Sequence, residues 1–182
     1  MSNRPTALAA AAALYDDGRF QAELARRVAC PTESQEPAQA PQLLAYLQDE
    51  LTPALQALGF DCRLLDNPVA GGSPFLLARR QEPDAAFTVL SYGHGDVVRG
   101  HAAQWREGLQ PWQLRAEGDR LYGRGTADNK GQHTINLMAL AEVLAARGGR
   151  LGYNLTLLFE MGEETGSVGL RTLCEQQRAL LA

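Results

Sequence analysis

Three short segments carry side chains able to hold a metal ion: His94-Gly95-Asp96, Asp128-Asn129-Lys130-Gly131 and Glu163-Glu164. Each follows an apolar run, namely residues 87–92, Leu121-Tyr122, and residues 155–159. Imidazole and carboxylate gathered at strand ends are what a zinc site with an open catalytic position requires. His94 and Asp96 lie two apart, so at a strand end their side chains leave on the same face. Asp96 can then take one imidazole N–H while the other nitrogen binds metal, which fixes the tautomer and strengthens the ligand. A purely structural His–Asp hydrogen bond would give the same spacing. Asp128 follows a Gly-x-Gly turn and precedes a helix. Its carboxylate suits either a bridge between metals about 4 Å apart or a helix N-cap. Glu163 and Glu164 repel each other unless a cation is present. One can coordinate metal while the other takes a proton from metal-bound water, or both can be solvated loop residues. Each segment alone has this ordinary alternative; all of them together, at successive strand ends, favour the metal site.

The elements that must position these groups are legible in the hydrophobic periodicity. A first helix is predicted over residues 5–28, with Leu8, Ala12, Tyr15, Phe20, Leu24 and Val28 near helical spacing and Gly18 as its weak point. A second follows Pro41, where Leu43, Leu47, Leu51, Leu55 and Leu58 form a stripe, with a kink at Pro53 and an end at Gly59. Strands are predicted over 61–65, 74–79 and 87–92, then a short one at 120–122 and a buried one over 155–161. Residues 99–118 read as a long irregular excursion that Trp105 and Trp112 must pack. A helix is predicted over 130–147 and a last one from Ser167 onward. This alternation predicts a three-layer α/β/α sandwich around a mixed, mostly parallel central sheet. In such sheets ligands bind at the strand ends.

Composition narrows the function classes. A net charge of −4 on 182 residues, without a basic stripe, argues against a nucleic-acid partner. No apolar run approaches the roughly 20 residues that span a bilayer, so no membrane partner is expected. Residues 7–14 read as the first helix rather than a signal peptide, because Asp16, Asp17 and Arg19 follow without a cleavage site. Cys30, Cys62 and Cys174 are far apart and odd in number, which predicts thiols and a cytoplasmic setting. The Gly-x-Gly pairs lack the third glycine of a dinucleotide loop, and no serine sits in a nucleophile elbow. A nucleotide-binding domain is therefore disfavoured. His101 and His133 read as surface or loop residues, with a place at the site edge as the alternative for His133 because it lies in the helix after Asp128.

The segments Tyr92-Gly93-His94-Gly95-Asp96-Val97-Val98, Gly123-Arg124-Gly125-Thr126-Ala127-Asp128-Asn129-Lys130-Gly131 and Gly162-Glu163-Glu164-Thr165-Gly166-Ser167 resemble those of the M20 family of zinc metallopeptidases. The match in order and spacing runs over residues 20–182, and Arg99 departs from the proline usual after Asp-Val-Val. The resemblance implies two zinc ions, with cobalt or manganese as substitutes, and hydrolysis of an amide bond in a small peptide or N-acyl amino acid. It implies that His94 binds one zinc, Glu164 the other, and Asp128 both. Glu163 is then the general base and Asp96 the residue orienting His94. A cis peptide between Asp128 and Asn129 is implied as well. Family members are longer, adding a further acidic ligand, a final His ligand and an inserted lid domain through which many form homodimers. Residues 1–182 therefore read as the N-terminal part of a catalytic domain, expected to be inactive alone. The alternative is a truncated, non-catalytic homologue or interaction module that keeps the fold.

Overall fold

Strand β6 (Asn154–Glu160) is buried along nearly its whole length, and a strand buried on both faces belongs at the centre of a sheet. The computed structural model describes residues 4–181. It places β6 between β2 (Phe75–Arg80) and β3 (Thr88–His94), with β1 (Asp61–Leu65) outside β2. β1 and β2 are antiparallel, as are β2 and β6, whereas β3 and β6 run parallel. The sheet is mixed, as expected, but its parallel character is confined to the β3–β6 pairing. The cause is connection length: the link between β1 and β2 is too short for a crossover, which needs a dozen or more residues. Between β3 and β6 the chain has room for a helix.

That helix is α5 (Lys130–Ala146), which covers one face of the sheet together with the segment 40–57. Leu47, Leu51, Leu55, Leu76, Leu137, Leu157 and Phe159 belong to the core between them. On the other face Phe75 and Leu158 meet Leu173 of α6 (Leu170–Gln176), so helices lie on both sides. Two further helices, α1 (Arg4–Asp16) and α2 (Arg19–Val28), pack on α5. Gly18, at φ 81°, divides them where the sequence had its weak point.

The kink expected at Pro53 takes the form of a wide turn. Segment 40–57 runs as α3 (Ala40–Ala45), a π turn (Tyr46–Leu51) and α4 (Thr52–Ala57). Pro53 has no N–H to continue the regular ladder. Just before it the ladder widens to an i→i−5 step, in which Leu47 O accepts from both the amide and the hydroxyl of Thr52, the latter at 2.7 Å. The helix expected from Ser167 begins at Leu170 instead, and a separate short helix follows it over Arg178–Leu181. Ser167 (φ 52°) and Gly169 (φ 84°) hold left-handed backbone, which a right-handed helix cannot include. The 99–118 excursion is more ordered than expected, because β4 (Arg115–Glu117) pairs with β5 (Arg120–Tyr122) as a hairpin. Trp105 Nε1 donates to Gly100 O at 2.7 Å, and Arg124 lies 5.7 Å over the Trp105 ring.

The central strands should dominate stability. Leu76 is fully buried in β2, whereas Leu64 on neighbouring β1 is 39% exposed. Leu76→Ala should cost about 2–5 kcal/mol, and Leu64→Ala should cost less than about 1 kcal/mol. Chemical denaturation of the two variants would check this; equal losses would contradict the placement of β2 inside the sheet.

Candidate active site

Parallel pairing puts His94 directly opposite Glu160, so β3 and β6 end side by side. The amide of Gly95 donates to Glu160 O at 2.9 Å and extends the alignment one step past the strands. Beyond β6 the chain tightens into a short 3₁₀ turn, Glu163–Thr165. Its first two amides point at the Asp96 carboxylate: Glu163 N donates to Oδ1 at 3.2 Å and Glu164 N to Oδ2 at 3.1 Å. Asp96 is fully buried. Its Oδ1 also lies 3.3 Å from His94 Nδ1, which is 3.1 Å from the Asp96 carbonyl as well. One carboxylate thus ties the imidazole to the turn bearing both glutamates.

The other imidazole nitrogen faces the cleft. His94 Nε2 is 3.0 Å from Asp128 Oδ1 and 4.0 Å from Glu163 Oε2. Asp128 reaches this position from the turn that leads into α5, and the expected cis peptide joins it to Asn129. The turn closes on Gly131, whose amide donates to Gly125 O at 3.0 Å. A Cβ at Gly131 would sit 1.9 Å from Thr126 O, so only glycine permits this approach. Beneath the turn, the buried Lys130 ammonium donates to the Cys30 carbonyl, and burial pushes it down to about 7. The 94–97 segment is fixed from the other side. Thr32 Oγ1 donates to Gly95 O at 2.7 Å and Val97 N to Thr32 O at 2.9 Å. Arg99, the departure from the family pattern, pairs with Glu36.

The structure thus brings His94, Asp96, Asp128 and Glu163 together. Glu164 joins through its amide. Burial, then the neighbouring Glu163 charge, raise its carboxyl above the ordinary range. Burial disfavours a charged imidazole at His94, yet hydrogen bonds and charge from Asp96 and Asp128 outweigh it and lift the ring to about 9. The expectation for His133 is overturned. Its ring is buried against Tyr46 and Phe159 on the inner face of α5, because the helix turns that position toward the sheet. His101 is exposed, as expected. The sequence reading missed Tyr46 and Glu160. Glu160 Oε1 accepts the hydroxyls of Tyr92 and Ser167, the latter at 2.8 Å, and its Oε2 is buried with no partner.

The donor chemistry suits a divalent ion that takes nitrogen and oxygen ligands: an oriented imidazole nitrogen beside an exposed Asp128 carboxylate, with Glu163 close by. Among the described residues, no group of three or more His, Cys, Asp or Glu side chains is arranged to hold a metal ion. His94 and Asp128 fit as a pair. None of the described helices is long and apolar enough to cross a membrane.

The chain is similar in sequence and fold to known proteins. The model of Peptidase family M20/M25/M40 matches residues 90–181. A succinyl-diaminopimelate desuccinylase of Alkalilimnicola ehrlichii is 41% identical over 133 residues, covering 72% of this chain and 33% of the relative. The Cys-Gly metallodipeptidase DUG1 of Candida albicans is 30% identical over 172 residues, covering 87% of this chain and 35% of the relative. Among solved structures, human carnosine dipeptidase 1 superimposes with a TM-score of 0.78 at 28% identity, covering 92% of this chain and 36% of its own. The chain therefore spans about a third of the length of these curated relatives.

Protonation of His94 should be visible in stability. Its pKa rises from an ordinary 6.5 to about 9, so its contribution is complete below pH 6.5 and lost as pH climbs through 9. Lys130, lowered from 10.5 to about 7, acts in the opposite sense over much of that range. The diagnostic quantity is therefore the difference between wild type and His94→Gln without metal. That difference should shrink between pH 6.5 and 9 in calorimetric unfolding, and a constant difference would remove His94 as the group responsible.

Proposed function

This chain belongs to peptidase family M20/M25/M40, and from that premise we propose that its full-length parent hydrolyses an amide bond in a small peptide or N-acyl amino acid. The observation that carries the reading is the triple use of Asp96. Its carboxylate accepts the Glu163 and Glu164 amides and holds Nδ1 of His94, which leaves Nε2 beside Asp128. Relatives named as a desuccinylase and as a dipeptidase support an acyl amino acid or a dipeptide as the substrate class.

His94 and Asp128 would hold a divalent metal, zinc on the resemblance to the family, with Glu164 completing the chain's own share of ligands. When bound, such an ion supplies a Lewis acid and a water of lowered pKa. The chain's own contribution is orientation and proton handling. Asp96 keeps the His94 ring in one tautomer and sets the turn from which Glu163 reaches the cleft. Glu163 is the general base: its Oε2 lies 4.0 Å from His94 Nε2, close enough to take a proton from the attacking water and pass it to the leaving amine. We assign the parent to the cytoplasm, since all three cysteines are free thiols. Within the family pattern the remaining ligands and the lid lie outside these residues.

A second reading is favoured by one observation. Among the described residues no three-ligand metal group is formed, as in a homologue that keeps the fold without the chemistry. Zinc content separates the two. Residues 1–182 alone should hold little stoichiometric zinc and show no hydrolysis. The parent should hold metal and cleave N-acyl amino acids or dipeptides, and a metal-free, inactive parent would establish the second reading instead.

In the parent, Glu163→Gln should lower turnover by about 10²–10⁴-fold, the usual worth of a general base. Its zinc content should not change, because the amide cannot accept the proton while the ligands stay in place. Retained turnover measured by amine release would take that role from Glu163.

A further inference from the structure

His133 lies on α5 one turn beyond Asn129 and is only 3% exposed. It packs edge-on against Phe159, ring centroids 5.7 Å apart. Its Nε2 is 2.6 Å from the Tyr46 hydroxyl and its Nδ1 is 3.4 Å from Asn129 Oδ1. The ring also lies close to the His94 backbone. One buried imidazole therefore touches the backbone of one candidate ligand and the immediate neighbour of the other. We infer that His133, held by Tyr46, is a positioning residue that sets the spacing between His94 and Asp128; this inference rests on the proposed hydrolytic site.

The direction of each hydrogen bond follows from burial. Burial raises the Tyr46 phenol far above its ordinary value, so its hydroxyl stays protonated and donates to His133 Nε2. A neutral ring that accepts at Nε2 carries its proton on Nδ1. That N–H faces Asn129 and the His94 backbone, the two segments that must be kept in register. Tyr46 is itself fixed where both segments meet. It is 1% exposed in the π turn, and Lys130 Nζ lies 5.1 Å over its ring. A Cβ at Gly95, between His94 and Asp96, would come within 2.7 Å of the Tyr46 ring. His133 is too deeply enclosed to exchange protons with a substrate, so its effect is transmitted through the 3.0 Å separation of His94 Nε2 and Asp128 Oδ1.

The test uses the full-length parent. His133→Phe keeps the ring and loses both nitrogens, whereas His133→Asn keeps a donor near the Nδ1 position. His133→Phe should lower kcat and zinc affinity by about 10–100-fold, the usual effect of disturbing a residue behind a metal ligand, with KM little changed. His133→Asn should recover most of that loss even where its thermal midpoint falls further. In ring ¹H–¹⁵N spectra, wild-type His133 should show a protected Nδ1–H, weakened in Tyr46→Phe. An Nε2–H tautomer, or equal losses in His133→Phe and His133→Asn that track stability alone, would overturn the inference. A parent that binds zinc without hydrolysing any substrate would defeat the proposed reaction, while zinc affinity and the ring spectra would still decide the role of His133.

Discussion

The buried carboxylate of Asp96 is the constraint around which the site is organised. An ionised group removed from water is costly unless its oxygens are fully engaged. Here both oxygens are engaged by the amides of Glu163 and Glu164, and Oδ1 also by the His94 ring. Hydrogen bonds to a charged acceptor are stronger than neutral ones, so the most stable arrangement of Asp96 is also the one that gathers the chemical groups. The ends of β3 and β6 must therefore lie together, and the parallel register His94↔Glu160 meets that demand. Central burial of β6 follows in turn, because its neighbours on both sides are needed to hold the register.

A second layer of polar contacts lies beneath the first. Thr32 caps the exit of β3, Lys130 reaches back to Cys30, and Tyr46 with His133 fills the space between α5 and the sheet. These residues come from segments far apart in the chain, and each is buried with a partner. Deeply enclosed polar networks of this kind favour a single arrangement, since a displaced member leaves its partner unsatisfied in a medium that does not forgive it. Rigidity at the cleft thus comes from packing behind it, while Asp128 and Glu163 remain open to solvent on the front.

Much of this was legible in the sequence, for specific reasons. β1 was predicted at its observed bounds, and α5 to within a residue, because regular periodicity and glycine boundaries leave little freedom. The pairing of His94 with Asp96 followed from strand geometry, where residues two apart share a face. The antiparallel share of the sheet was not legible, because pairing direction depends on which strands become neighbours, not on what each strand contains. The short strand predicted at 120–122 is β5, but its partner β4 escaped notice for a related reason: it is three residues long and largely exposed, and a short polar strand carries almost no hydrophobic signal. His133 was misread because a lone histidine on an otherwise ordinary helix face carries no spacing that betrays burial. Only the position of Tyr46, which depends on the wide turn before Pro53, reveals it.

The electrostatics of His94 link the fold to the proposed chemistry. Burial alone would leave this ring neutral, yet Asp96 and Asp128 hold a proton on it up to about 9. The negative field that attracts the proton is the same field that would attract a divalent ion, and both bind through the unshared pair on Nε2. On the proposed reading, proton and metal would compete for one atom, as they do wherever a ligand must be deprotonated to coordinate. Asp96 acts on both sides of that competition. Its charge strengthens the nitrogen as a base and thereby as a ligand, while its grip on Nδ1 ensures that the nitrogen left facing Asp128 is Nε2. A carboxylate this deeply buried fixes which nitrogen of the imidazole faces Asp128 and would be the one to bind a metal, and the fold keeps that orientation in place.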